Sequence, residues 1–298
     1  MKRIACIGAG RMGRGIAHAV AYAGGNICLI DVKDRDANGF DTLKQAAISD
    51  IRSGLQMLAE LGVFDPNAIP EIMARVSILP SAKINQGLAN ADIVFEAVPE
   101  VMEAKKQAFA LFDTHSKGDA ILASTTSTIL STDLAGLTNN PQNFLNAHWL
   151  NPAFLVPLVE VSPCNETSDD TLTRLNTYLE GIGKMPVTCK ASPGYIVPRI
   201  QALAMNEAAR LVEEGVASAE DVDKAVKYGF GLRFAVLGLL EFIDWGGGDI
   251  LYFASKYLSE NLDKDRFTAP DIVQNNMEQG RIGLKTGEGF FNYDGMDV

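Results

Sequence analysis

The chain is short of cysteine, histidine, positive charge and unbroken apolar sequence. Its four cysteines, Cys6, Cys28, Cys164 and Cys189, are far apart and form no CxxC pair, which excludes a disulfide framework and a zinc site and suits small buried filler in a cytoplasmic protein. No apolar run reaches the roughly 18 residues of a membrane span. Stretches such as FAVLGLLEFIDW are broken by Glu241 and Asp244. The opening MKRIACIGAG passes from two basic residues straight into a strand and a glycine turn, unlike a secretion signal. With 26 Lys and Arg against 37 Asp and Glu, the net charge is −11 and the basic residues are scattered. Neither a nucleic-acid footprint nor a polybasic membrane patch is expected.

What is present is an ordinary globular composition, 47% hydrophobic and 21% charged over 298 residues, a length that suggests two domains. Short apolar runs at 4–7, 27–30, 76–79, 93–98, 120–123 and 143–147 alternate with helical patterns. That alternation predicts an α/β fold, a Rossmann-type doubly wound parallel sheet. Between the second and third runs, Phe40, Leu43, Ala47, Ile51, Leu55 and Leu58 share one helical face, as one long helix or a hairpin. Strand-like 159–161, a helical stretch near 168–183 and a last run at 186–189 precede the turn residues KASPGY. The boundary is placed there, giving residues 1–190 as the dinucleotide-binding domain and 191–298 as a smaller all-α domain for substrate and dimerisation. Ser218 followed by Asp221 suggests a capping box in that second domain. Apolar helices in so small a piece often bury their surplus face against a second copy, so a homodimer is expected.

Gly8, Gly10 and Gly13 form GAGRMG directly after the first strand and at the opening of a helix. In that context the glycines allow a tight turn, backbone approach to a pyrophosphate, and close helix–strand packing. Arg11 and Met12, inside the motif, and Val98, ending the fourth run, are grouped with these cofactor-binding residues. Asp31 ends the second run where a carboxylate accepts hydrogen bonds from an adenosine ribose. A 2′-phosphate would be repelled there, so NAD is expected over NADP, although Lys33 and Arg35 follow closely.

Alcohol oxidation needs a base near neutrality, and only His18, His115 and His148 are available. His148 ends NFLNAH, where ligands gather at the carboxyl edge of a parallel sheet, whereas the other two read as structural or surface groups. Glu160, inside the apolar VPLVEV, needs a partner and is placed to orient the imidazole. The hydroxyl cluster Ser124–Thr128 follows the fifth run and puts Ser127 at the same edge, although such a cluster is as readily a loop or a cap.

GAGRMG, FEAVPEVMEAK, STTSTIL, HWLNP with LVEV, PGYIVPRI, LVEEGVASAEDVD and GLKTGEGFFNY, in this order across nearly the whole chain, resemble the L-3-hydroxyacyl-CoA dehydrogenase superfamily. The pattern is 3-hydroxybutyryl-CoA dehydrogenase-like, with features of the carnitine, gulonate dehydrogenase and lambda-crystallin branch. The resemblance implies NAD-dependent oxidation of a 3-hydroxyl to a 3-ketone, with His148 as base and Glu160 as its partner. It also implies that Ser127 and Asn151 contact the substrate oxygen, and that Glu100 and Lys105 lie near the nicotinamide ribose.

Three positions depart from the commonest pattern. Pro198 stands where many members have a substrate-binding asparagine, Pro157 where acyl-CoA enzymes often have lysine, and Arg233 in GLRFA could pair with a substrate carboxylate. The substrate is therefore expected to be a 3-hydroxyacyl-CoA or, alternatively, a free 3-hydroxy acid. A non-catalytic dinucleotide-binding protein is a further alternative, against which the His148–Glu160 combination argues. A lysine-based 6-phosphogluconate type is disfavoured by HWLNP followed by LVEV.

Overall fold

In a computed structural model of the protein, which describes residues 2–295, the apolar runs become eight strands of one sheet. They are β1 (Ile4–Ile7), β2 (Ile27–Asp31), β3 (Val76–Pro80), β4 (Ile93–Glu96), β5 (Ile121–Ser124), β6 (Phe144–Trp149), β7 (Leu158–Pro163) and β8 (Met185–Thr188). Their order is β3-β2-β1-β4-β5-β6-β7-β8, and every neighbouring pair is parallel except β6 and β7. The order reverses beside β1, so a crevice opens at the carboxyl ends of β1 and β4.

Strand alternation builds a core on each face. Ile4, Cys6, Ile93, Phe95, Ile121 and Ala123 join one buried cluster, while Ala5, Ile7, Val94 and Leu122 join the other. The first cluster is covered by α1 (Arg11–Tyr22), through Ile16, Ala17 and Val20, and by α2 (Ala37–Glu60), through Ala47, Ile51 and Leu55. The stretch after β2 is thus one continuous helix rather than a hairpin, capped by Asp36, whose carboxylate accepts the Gly39 N–H at 2.7 Å.

On β6 and β7 the alternation acquires a chemical meaning. Leu145, Ala147, Trp149, Val159 and Val161 continue the first core. The opposite face of the same strands carries Asn146, His148, Glu160 and Ser162, all buried. Because the pair is antiparallel, His148 lies directly across from Glu160 and Asn146 from Ser162. Cross-strand neighbours in that arrangement are within side-chain reach.

The chain divides into two compact units between Leu203 and Ala204, inside the helix Val197–Glu213. Described by itself, the second unit is helical, with segments including Ala219–Ala225, Leu239–Gly246, Gly248–Asn261 and Asp271–Glu278. Ser218 caps the first of these by accepting the Asp221 N–H at 3.1 Å, but its hydroxyl also donates to the Asp221 carboxylate. The expected reciprocal capping box is therefore reduced to a simple cap. The terminal GEGFFNY folds onto Asp244, whose buried carboxylate accepts the N–H groups of Phe290 and Phe291 and the Tyr293 hydroxyl. A Cβ on Gly289 would lie 2.1 Å from that carboxylate, which explains the glycine there.

Candidate active site

Helix α1 begins at Gly10 with no side-chain cap and no acidic residue in its first turn, leaving its N–H groups and positive end open to an anion. The turn before it is tight. Gly8 has φ +117, and a Cβ there would lie 2.6 Å from the Ala97 carbonyl oxygen; a Cβ on Gly13 would lie 2.0 Å from the Gly8 carbonyl oxygen. A Cβ on Gly10 would meet nothing within 4 Å, so this side of the backbone is open to a ligand. We expect Gly13→Ala to push the turn off helix α1 and weaken NAD binding by about tenfold or more, since close approach to the diphosphate is lost. Titration of protein fluorescence with NAD checks this, and wild-type affinity would count against the turn as the diphosphate cradle.

Gly8, Gly10, Arg11, Asp31 and Val98 line one cleft of about 400 Å³. Asp31 ends β2, is 4% exposed, and accepts from Arg35 Nε at 2.6 Å through one oxygen. Its other oxygen meets only the distant Lys33 N–H at 3.4 Å and remains able to accept from a ribose hydroxyl. These residues fit a dinucleotide: an open helix end for the diphosphate and a carboxylate for the ribose. Met12 is half-buried and packs against the first core.

Glu100 and Lys105 have separate environments. Glu100 accepts from the Thr126 hydroxyl at 2.6 Å, from the Ser127 N–H, and from the Thr128 hydroxyl at 3.3 Å. It therefore fastens the hydroxyl cluster and fixes the backbone of Ser127. Lys105 is 1% exposed, and its ammonium sits 3.0 and 2.9 Å from the two oxygens of Glu96. Lys105, expected near the nicotinamide ribose, is held in a buried charge pair with Glu96. Glu96 also accepts from Ser124 Oγ at 2.6 Å and from the N–H of Val98, a residue of the cleft, at 2.8 Å.

The cross-strand pair is closed by a hydrogen bond, with His148 Nδ1 2.8 Å from Glu160 Oε2. Glu160 is fully buried, and its other oxygen accepts the N–H groups of Ile196 and Val197 at 2.9 and 2.7 Å. The carboxylate thus joins the imidazole to the N-terminus of the helix Val197–Glu213. Pro198 is the second residue of that helix, where a missing N–H costs nothing. Among the described residues no hydrogen bond reaches Nε2 of His148. An imidazole held at Nδ1 with Nε2 unengaged is built to accept a proton.

Tyr195 was not anticipated. It stacks on His148 at 5.2 Å between centroids, and its hydroxyl takes an N–H bond from Asn146 at 2.7 Å and donates toward the Thr126 carbonyl at 3.2 Å. Burial and then the Glu100 charge push its phenol upward, so it remains protonated. Its only advertisement in sequence was the turn PGY, where Tyr195 takes φ +45.

Asn151 follows β6 and is exposed, lining with Arg11 and Arg14 a second cleft along α1. Arg14 is committed elsewhere, donating to the Ala9 carbonyl at 2.9 Å and to Asp50. His18 is buried and stacks on Phe154 at 4.2 Å; burial, then the Lys184 charge, bring it down to about 4. His115 ends the helix Met102–His115. Arg233 lies in the second unit, exposed, with its guanidinium 5.3 Å over the Phe242 ring.

Residues 3–192 match the family described as 3-hydroxyacyl-CoA dehydrogenase, NAD binding domain, and residues 194–293 match its C-terminal domain. A probable 3-hydroxybutyryl-CoA dehydrogenase of Bacillus subtilis is 31% identical, over 99% of this chain and 98% of that protein. The 5-formyl-3-hydroxy-2-methylpyridine 4-carboxylate 5-dehydrogenase of Mesorhizobium japonicum is also 31% identical, over 98% and 91%. The crystal structure of a 3-hydroxyacyl-CoA dehydrogenase from Archaeoglobus fulgidus superposes with a TM-score of 0.77 at 31% identity, covering 98% of this chain and 92% of that one. By its NAD-binding domain, its C-terminal domain and the full-length extent of these similarities, the chain belongs to the 3-hydroxyacyl-CoA dehydrogenase family.

Proposed function

We propose that the protein oxidises the 3-hydroxyl of a 3-hydroxyacyl substrate to the 3-ketone, with His148 Nε2 taking the hydroxyl proton. The observation that carries this reading is the buried contact of 2.8 Å between His148 Nδ1 and Glu160. The cleft of Gly8, Gly10 and Asp31 would hold NAD, whose nicotinamide would supply the acceptor for the C3 hydride. Glu160 keeps the Nδ1 proton in place, so that Nε2 is the free acceptor, and stabilises the imidazolium that forms. Ser127, its backbone fixed by Glu100, and Asn151 hydrogen-bond the reacting oxygen. A base so placed contributes on the order of 10²- to 10⁴-fold in rate. The proton leaves His148 for solvent before the next turnover.

A free 3-hydroxy acid is the second reading, favoured by two features. Arg233 makes no ion pair among the described residues, and a planar guanidinium is suited to bidentate pairing with a carboxylate. In the cleft beside Asn151, Arg14 is already paired with Asp50, leaving Arg11 as the one arginine there without an ion pair among the described residues, a single charge for the phosphates of coenzyme A. The Mesorhizobium relative, whose name carries a carboxylate, is a precedent for a small acid in the family. NADH formation with 3-hydroxybutyryl-CoA beside free 3-hydroxybutyrate, carnitine and gulonate decides between the classes. Selective thioester turnover removes the free-acid reading; selective turnover of an acid that is lost in Arg233→Ala establishes it.

Four cysteines without disulfides suit a reducing, cytoplasmic setting. The second unit leaves Tyr228, Val236, Phe253 and Tyr257 exposed, an apolar surface that supports a homodimer. A monomer mass by light scattering would remove that expectation.

A further inference from the structure

Lys184 has no part in the chemistry described so far. It stands at the turn before β8, a strand whose own side chains are largely exposed, yet Lys184 itself is only 6% exposed. Its ammonium points under the segment between β6 and β7. There it donates to the Ala153 carbonyl at 2.6 Å and the Val156 carbonyl at 2.9 Å, with the Trp149 ring centroid 5.3 Å away. Its backbone N–H is anchored to the Leu179 carbonyl at 2.9 Å. Burial brings the ammonium down to about 8, so the charge is held at a cost that bulk water would remove.

The segment it holds is the one that carries Asn151. From the other side, Phe154 of that segment stacks on His18 of α1, and Ala153 sits against Gly15, where a Cβ would approach within 3.0 Å. The loop is therefore clasped between the helix that opens at the cofactor turn and the ammonium of Lys184. Asn151 makes no side-chain hydrogen bond among the described residues, so its place depends on the backbone that follows it.

We propose that Lys184 is a positioning residue: by holding the carbonyls of Ala153 and Val156, it sets the loop that presents Asn151 to the substrate oxygen. This rests on the assignment of Asn151 made above. A loop displaced by about 1 Å can cost on the order of 100-fold when it carries a group that orients substrate. A methionine at 184 is an unbranched apolar side chain one atom shorter, and it leaves both carbonyls without donors.

The test compares the wild type, Lys184→Met, Asn151→Ala and the double variant in the preferred substrate with saturating NAD. Lys184→Met is expected to lower kcat about 30-fold while the Kd for NAD stays within about twofold. In the Asn151→Ala background the same change should cost no more than about twofold, because its target is already gone. Full multiplicative effects in the double variant overturn the proposal, as does a Lys184→Met enzyme that loses only thermal stability. Should Lys184→Met not fold, Lys184→Arg retains two N–H donors and is expected to keep kcat within about threefold of wild type; an arginine enzyme impaired at normal NAD affinity overturns the proposal. If Asn151→Ala is itself silent, the inference falls together with that residue's assignment. A His148→Gln enzyme at full rate, by contrast, removes the base while leaving the Lys184–Asn151 coupling intact.

Discussion

Replacing His148 with glutamine is expected to lower kcat by roughly 10³- to 10⁴-fold, because the proposed acceptor of the hydroxyl proton is removed. NAD affinity should stay near that of the wild type. Glutamine approximates the volume of the imidazole, and its amide N–H can still donate to Glu160, so the buried carboxylate is not left without a partner. Tyr195 keeps a planar neighbour in place of the stacked ring. Gly8, Gly10, Arg11 and Asp31, the residues expected to hold the cofactor, line a cleft that does not include His148, which is why binding and chemistry should separate. Steady-state kinetics together with an NAD titration make the comparison. Retention of more than about a tenth of kcat would assign the proton to another group, since general-base catalysis contributes at least about 100-fold.

Much of this site was legible because it lies where the sequence is most regular. Short apolar runs became strands, and the glycine turn after the first of them lines a cleft with Asp31. His148 and Glu160 stood out as polar residues inside runs that otherwise continue a core, and the structure puts them opposite one another at one register position. What escaped reading depends on distance along the chain. The contact of Glu96 with Ser124 needs β4 and β5 to be neighbours, and local patterning does not contain that information. The antiparallel direction of β7 follows from the eight residues, 150–157, between β6 and β7, too few for the crossover of about a dozen that a parallel pair needs. Tyr195 and Lys184 act through contacts with residues 47 and 31 positions away in sequence for the pairs Tyr195–His148 and Lys184–Ala153. In a one-dimensional pattern they look like a turn tyrosine and a surface lysine.

Glu160→Gln separates orientation of the base from its presence. The wild-type carboxylate has two tasks: one oxygen accepts the N–H groups of Ile196 and Val197, and the other faces Nδ1 of His148. A glutamine can keep its carbonyl oxygen toward the two backbone donors, which then forces its NH₂ toward the imidazole. Two donors cannot face each other, so Nδ1 must become the acceptor and the ring proton moves to Nε2, the nitrogen required to be free. The expected result is a kcat lowered by about 10³-fold or more with little change in NAD affinity, as for other histidines held in the wrong tautomer. The opposite amide orientation would preserve the tautomer but set NH₂ against the N–H groups of Ile196 and Val197, costing about 1–3 kcal/mol of stability through unpaired buried donors. Kinetics and thermal unfolding of the same preparation distinguish the two. A variant that keeps both wild-type kcat and wild-type stability would mean that neither the tautomer nor the helix terminus depends on Glu160, and the pairing of His148 with Glu160 would lose its proposed role in the reaction.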